Sequence, residues 1–134
     1  MDQKLLLRVV TPDRQVVRED VEEIQAPGRE GYLGILPGHA PLLSELKPGE
    51  MTYRRGKDFQ RLAVSGGFLE ILPEQVTVLA ETAERPEEID IARAQSAKER
   101  AELRLKSPDP EVDLNRAAVA LQRALIRIQV ASRR

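Results

Sequence analysis

A chain of 134 residues with 41% hydrophobic and 32% charged residues can bury one modest core plus an appendage, and its composition is neither that of a disordered protein nor that of a membrane-spanning one. With no Cys, it holds neither a disulfide scaffold nor a thiolate metal site. A net charge of -1 excludes a whole-chain basic field of the kind that holds a nucleic acid backbone, so no nucleic acid partner is expected.

Met1 to Val10 carries Asp2, Lys4 and Arg8, and its apolar stretch is too short and interrupted for a signal peptide or a membrane span. From Lys4 to Glu81, short apolar runs alternate with Gly, Pro and Asp turn chemistry, the pattern of a many-stranded β-sandwich or barrel. Thr11-Pro12-Asp13 and Pro27-Gly28 are natural chain reversals. Met51 to Arg55 and Phe59 to Ser65 flank Gly56-Lys57-Asp58, and Phe68 to Leu72 and Val76 to Ala80 flank Pro73-Glu74-Gln75. Both pairs predict antiparallel hairpins. Val76, Val78 and Ala80 alternate with Thr77, Leu79 and Glu81, as in a sheet with one buried face. Ser65-Gly66-Gly67 is expected between two strands, at a bulge or sharp bend.

The pattern changes near Arg85 and Pro86, which divides the chain into 1–85 and 86–134. Ala, Glu, Arg and Leu dominate from Pro86 to Lys106, predicting a helix with Pro86 in its first turn and Glu87, Glu88 and Asp90 at the positive end of its dipole. Ser107-Pro108-Asp109-Pro110 ends it. A second helix starts on Asp113 as N-cap and runs toward Ser132, with Leu114, Ala117, Leu121, Leu125 and Ile128 on one stripe. The fold class is therefore α+β: an antiparallel β-sandwich followed by an antiparallel two-helix hairpin. The inner face of the first helix reads Ala94, Ala97, Ala101 and Leu105. Such a seam is either weakly held, at about 0.8 kcal/mol per buried CH₂, or closely packed because its side chains are small.

Catalytic chemistry is hard to find. His39 is the only His, no nucleophile motif accompanies it, and its place in Pro37-Gly38-His39-Ala40-Pro41 suits a structural or interface role. Gly28, Gly31, Gly34 and Gly38 lack the Gly-Lys-Ser/Thr ending of a phosphate loop. The acids are dispersed, and no metal signature appears. One charge asymmetry stands out: residues 114–134 contain Arg116, Arg123, Arg127, Arg133 and Arg134 and no acid. Arg116, Arg123, Arg127 and Arg134 share a helical face, which is either a solvated surface or a dock for an acidic surface or nucleotide phosphates.

Gly31-Tyr32-Leu33-Gly34-Ile35-Leu36-Pro37-Gly38-His39-Ala40-Pro41-Leu42-Leu43-Ser44-Glu45-Leu46, Val64-Ser65-Gly66-Gly67-Phe68-Leu69-Glu70-Ile71 and Val76-Thr77-Val78-Leu79-Ala80-Glu81 together closely resemble the epsilon subunit of bacterial F-type ATP synthase. The resemblance spans nearly the whole chain and continues through Ile89-Asp90-Ile91-Ala92-Arg93-Ala94. It implies a non-catalytic central-stalk subunit that requires no cofactor. The sandwich would bind the gamma subunit and the ring of c subunits, and membrane contact would come only through the complex, at the cytoplasmic face of a bacterial plasma membrane rather than a thylakoid. It implies ring contacts at Glu30, Gly31, Tyr32 and His39, with Tyr32 standing where some relatives have an acid. It further implies that the helices inhibit ATP hydrolysis when extended, with Arg116, Arg123, Arg127 and Arg134 facing acidic segments of the catalytic beta subunits. Some relatives bind regulatory ATP through an Ile/Leu-Asp-x-x-Arg-Ala motif, matched here by Ile89, Asp90, Arg93 and Ala94, together with second-helix arginines, here Arg123 and Arg127. The alternative is a nucleotide-sensing module without a strong inhibitory role.

Overall fold

The computed structural model describes residues 3–133, so Arg134 of the basic stripe lies outside the described residues. The chain forms two compact units, Met1–Glu84 and Arg85–Arg134.

The first unit contains β1 (Leu5–Val10), β2 (Gln15–Val21), β3 (Glu23–Gly28), β4 (Gly31–Ile35), β5 (Leu42–Glu45), β6 (Gly49–Arg55), β7 (Asp58–Ile71) and β8 (Gln75–Glu84). Its strand order is β2-β1-β8-β7-β6-β3-β4, with β5 attached to β7. The sandwich is as the sequence predicts, and both hairpins pair as antiparallel neighbours, β6 with β7 and β7 with β8. One ladder differs: β1 runs parallel to β8, from Leu6 opposite Gln75 to Val10 opposite Leu79. Turn residues signal partners adjacent in sequence, whereas β1 and β8 are the first and last strands of the unit in chain order and neighbours in its sheet.

The core is aliphatic. Leu5, Leu7 and Val9 of β1 are buried and face Val76 and Val78 of β8, Ile24, Ile35, Met51, Leu62, Leu69 and Ile71. Tyr53 is the largest fully buried side chain.

Ser65-Gly66-Gly67, expected between strands, lies inside the single long strand β7. The positions that join the core are Val64 and Ala83 on one side of this segment and Leu69 and Val78 on the other, an odd number of residues apart along each strand, although the pairing register of β7 with β8 is unchanged. The two strands therefore turn a corner together, and β7 exchanges β6 for β5 as its other neighbour. Gly66 and Gly67 have φ of 68° and 103°. A Cβ on Gly67 would stand 1.8 Å from the Leu79 carbonyl oxygen, so no other residue fits this corner.

In the second unit, the helix expected from Pro86 is split. Pro86–Glu88 forms one 3₁₀ turn, and α1 runs from Ile91 to Leu105. Ile89 is extended and buried, and Asp90 caps α1 by accepting from the Arg93 N–H at 3.1 Å. A side chain committed to the cap leaves Asp90 outside the helix, which is why the α conformation starts late. Asp113 caps α2 (Leu114–Ala131) in the same way, accepting from the Arg116 N–H at 3.0 Å. Between them, Ser107 Oγ accepts from the Asp109 N–H and Asp109 Oδ1 from the Glu111 N–H. This short link makes the helices antiparallel.

The predicted stripe of α2 holds in part: Ala117 is buried and Leu121 and Ile128 are half-buried, but Leu114 and Leu125 are 51% and 45% exposed, and Ala124, Val130 and Ala131 are buried in their place. On α1 Ala94 and Ala101 are buried and Ala97 and Leu105 half-buried. Alanines seven apart on both helices let the backbones approach, so the larger residues flank the seam instead of filling it.

Candidate functional site

Directly opposed residues of a ladder share a face of the sheet. Glu45 lies opposite Phe68, Phe68 opposite Leu79, and Leu79 opposite Val10, a row that crosses β5, β7, β8 and β1. Leu43, opposite Glu70, begins the next row. These positions alternate with the core residues and point outward, and Leu43, Phe68 and Leu79 are 70%, 51% and 54% exposed. Exposed carboxylates at Glu45, Glu70 and Glu81 border them. Single exposed apolar residues are ordinary, but a row across adjacent strands is a contiguous patch of the kind that binds a partner. A cleft of about 380 Å³ opens between the β3–β4 turn and β5, with Glu30, Gly31, Leu33, Leu42, Leu43 and Phe68 among its walls.

Glu30 and Gly31 form the exposed tip of that turn, beside Arg29, whose N–H donates to the Glu45 carbonyl at 3.1 Å. Tyr32 follows on β4, its ring largely exposed and its hydroxyl accepting from the Glu50 N–H at 3.1 Å. His39 lies on a different loop, joined to the β7–β8 turn through the Gly38 N–H and the Pro73 carbonyl. Its Nδ1 donates to the Ala40 carbonyl at 2.6 Å, which holds the ring within its own turn.

The helical unit collects charge by a repeated rule. Arg93, Arg100, Arg116 and Arg123 each immediately precede a buried seam alanine, namely Ala94, Ala101, Ala117 and Ala124. An antiparallel pair is related by a two-fold axis perpendicular to the helices, which carries the residue before each seam position to the same broad face of the hairpin. Arg127, four residues after Arg123, joins that face. Arg93, Arg100 and Arg116 are exposed, and Arg123 and Arg127 half-buried. At about 1.5 Å per residue, Arg116 and Arg127 stand roughly 16 Å apart along α2, so the stripe runs most of the helix. Ile89 and Ala94 are buried and Asp90 is the cap. Among the described residues, no group of three or more acids or His is placed to hold a metal ion, and no helix is long and apolar enough to cross a membrane.

Residues 4–86 match the family model for the β-sandwich domain of the ATP synthase Delta/Epsilon chain, and residues 87–132 match that for its long α-helix domain. The chain belongs to the ATP synthase epsilon-chain family. It is 47% identical over 133 residues to the ATP synthase epsilon chain of Syntrophobacter fumaroxidans, covering 99% of each chain. It is 51% identical over 134 residues to ATP synthase epsilon chain 2 of Syntrophotalea carbinolica, covering 99% of this chain and 97% of the relative. Among solved structures, a chain of the Euglena gracilis mitochondrial ATP synthase OSCP/F1/c-ring assembly superposes with a TM-score of 0.83 at 26% identity, over 96% of this chain and 81% of that one. As an epsilon-family chain it is a non-catalytic subunit of the ATP synthase central stalk.

Two features of this epsilon-family chain escape a reading of the sequence that follows only turns and motifs. Leu43, Phe68 and Leu79 are one; the signal was the alternation around Val76 and Val78, which already puts Leu79 on the outer face. Arg100 is the other, and its signal was the Arg-Ala pair seven residues after Arg93-Ala94.

Proposed function

We propose that the sandwich couples the ring of c subunits to the gamma subunit and that the hairpin restrains ATP hydrolysis by the assembled enzyme. The observation that carries the anchoring role is the outward row of Phe68, Leu79 and Val10 with Leu43, on a unit whose core is already filled from within. Covered by gamma, this row is the sandwich's rotor-shaft interface; Glu30, Gly31, Tyr32 and His39 face the c ring. Contact with the membrane comes through the complex, on the cytoplasmic face of the bacterial plasma membrane. Leu79→Asp should lower the affinity for gamma by about a hundredfold, as loss of a central apolar contact does, and full affinity of that variant in a pull-down with purified gamma would sink the assignment.

In the inhibitory role the hairpin extends, and Arg116, Arg123, Arg127 and Arg134 meet acidic segments of the beta subunits. Deleting the residues after Arg85 should raise ATP hydrolysis of the complex while assembly survives; unchanged hydrolysis would reject this half.

A nucleotide-sensing reading is favoured by a specific observation: Arg93, Arg100, Arg116, Arg123 and Arg127 line one face of the hairpin. Such a face fits the phosphates of ATP as a regulatory ligand, with Ile89, Asp90 and Ala94 shaping the start of α1. Calorimetry of the full chain with millimolar ATP, compared with Arg123→Ala, decides it: no heat from the unaltered chain rejects the site.

A further inference from the structure

We infer that Tyr32 is a positioning residue: its hydroxyl, turned back onto β6, fixes the β3–β4 turn that presents Glu30 and Gly31. The inference rests on the reading of that turn as the ring-facing contact, and it gives Tyr32 a role other than touching the partner.

The reason lies in where the β3–β6 ladder stops. Its last paired residues are Gln25 and Thr52, two residues short of Pro27 and Glu50. β6 and β7 are joined by the two-residue turn Gly56-Lys57, with Arg55 opposite Asp58. Counting back from that turn, Arg55, Tyr53, Met51 and Gly49 exchange hydrogen bonds with β7, so the Glu50 N–H points the other way, toward β3. The acceptor due there is the Pro27 carbonyl, but that oxygen accepts from the Lys47 N–H at 2.8 Å, and the Glu50 N–H donates elsewhere. Glu50 is buried, and a buried N–H left without an acceptor is costly.

Tyr32 supplies the missing acceptor. It pairs with Pro27 on edge strand β4, and its side chain reaches across β3 until Oη accepts from the Glu50 N–H at 3.1 Å. Gly49 leaves the space: a Cβ there would lie 2.7 Å from Pro27 Cβ and 3.0 Å from Tyr32 Oη. Pro27, Gly49 and Tyr32 thus fit one another. The remaining side-chain tie of the turn, Arg29 to Glu45 at 3.6 Å, joins two largely exposed groups and holds loosely. The tyrosine bond ends on a buried strand, so it determines where the turn stands.

The test uses Tyr32→Phe in the full chain, which keeps the ring and removes only the hydroxyl. Amide hydrogen exchange should quicken by about tenfold at Glu50 and at Arg29 while α1 amides hold their rates. Unchanged exchange at Glu50 overturns the inference. In the second arm, wild-type and Y32F chains are bound first to purified gamma and then, as that complex, to detergent-purified c rings. A variant that is merely less stable loses both affinities; a positioning role weakens the ring step alone, by about tenfold, with gamma affinity kept. Equal loss at both steps, or none at the ring step, overturns it. If the wild-type complex itself fails to bind c rings, the ring-facing reading of the turn falls, and the exchange result then stands alone as the test of what Tyr32 holds in place.

Discussion

In the sandwich Leu5, Leu7, Ile24, Ile35, Met51, Tyr53, Leu62, Leu69 and Ile71 are fully buried, whereas the hairpin buries alanines with Ile89 and Val130. A buried Leu or Ile side chain contributes about 1.5 to 3 kcal/mol and a methyl group about 0.8 kcal/mol, so the two units differ severalfold in what each inward position supplies. Their surfaces differ as well. The sandwich shows an apolar row bordered by acids, and the hairpin shows arginines on one face. A deep core bearing an apolar docking row suits a permanent attachment; a shallow seam bearing charge suits a contact that can be exchanged.

The sharpest way to break this contrast is at the corner of β7. Gly67→Ala places a Cβ against the Leu79 carbonyl at a φ of 103°, and should cost the sandwich about 4 kcal/mol or more, read as a lowered urea midpoint. A change under about 1 kcal/mol would show that the corner yields. In the hairpin Ala101→Leu overfills the seam and should cost about 1 to 3 kcal/mol, lowering the melting of helical circular dichroism without moving the sandwich transition. An unaffected helix melt would mean that the seam has slack.

Smaller effects sharpen the comparison. Ile89-Asp90-x-x-Arg93-Ala94 and Val112-Asp113-x-x-Arg116-Ala117 open the two helices with matching caps. Asp90→Ala and Asp113→Ala should therefore destabilise the hairpin equally, by about 1 kcal/mol each. If Asp90→Ala abolishes ATP binding at a dose where Asp113→Ala does not, Asp90 does more than cap. Smallest of all, Leu79→Asp should alter the stability of the free chain by no more than about 0.5 kcal/mol, because its site is already exposed. A large loss would mean that the row belongs to the core and not to a docking surface.

Much of the fold is legible because its signals are local. Gly56-Lys57 and Pro73-Glu74 sit where the chain reverses, Pro108 and Pro110 stop a helix, and Asp113 caps the next. The first helix starts later than its composition suggests because Pro86, Glu87 and Glu88 carry the composition of a helical first turn, while the cap at Asp90, two residues beyond Glu88, takes precedence. On α2 periodicity places Ala117, Leu121 and Ile128 toward the seam, but close helix packing favours small residues, which draws in Ala124 and Ala131 and leaves Leu114 and Leu125 exposed.

By itself the sequence determined the two-part layout, the hairpin turns, the helix caps and the arginine spacing, since each depends on residues within a turn or two of one another. Only the tertiary structure decided that β1 lies parallel to β8, that β7 turns its corner inside a strand, and that Tyr32 completes a ladder Pro27 leaves unfinished. Those outcomes join residues far apart in the chain. They follow from which donors, acceptors and apolar faces remain unsatisfied once the local elements have formed.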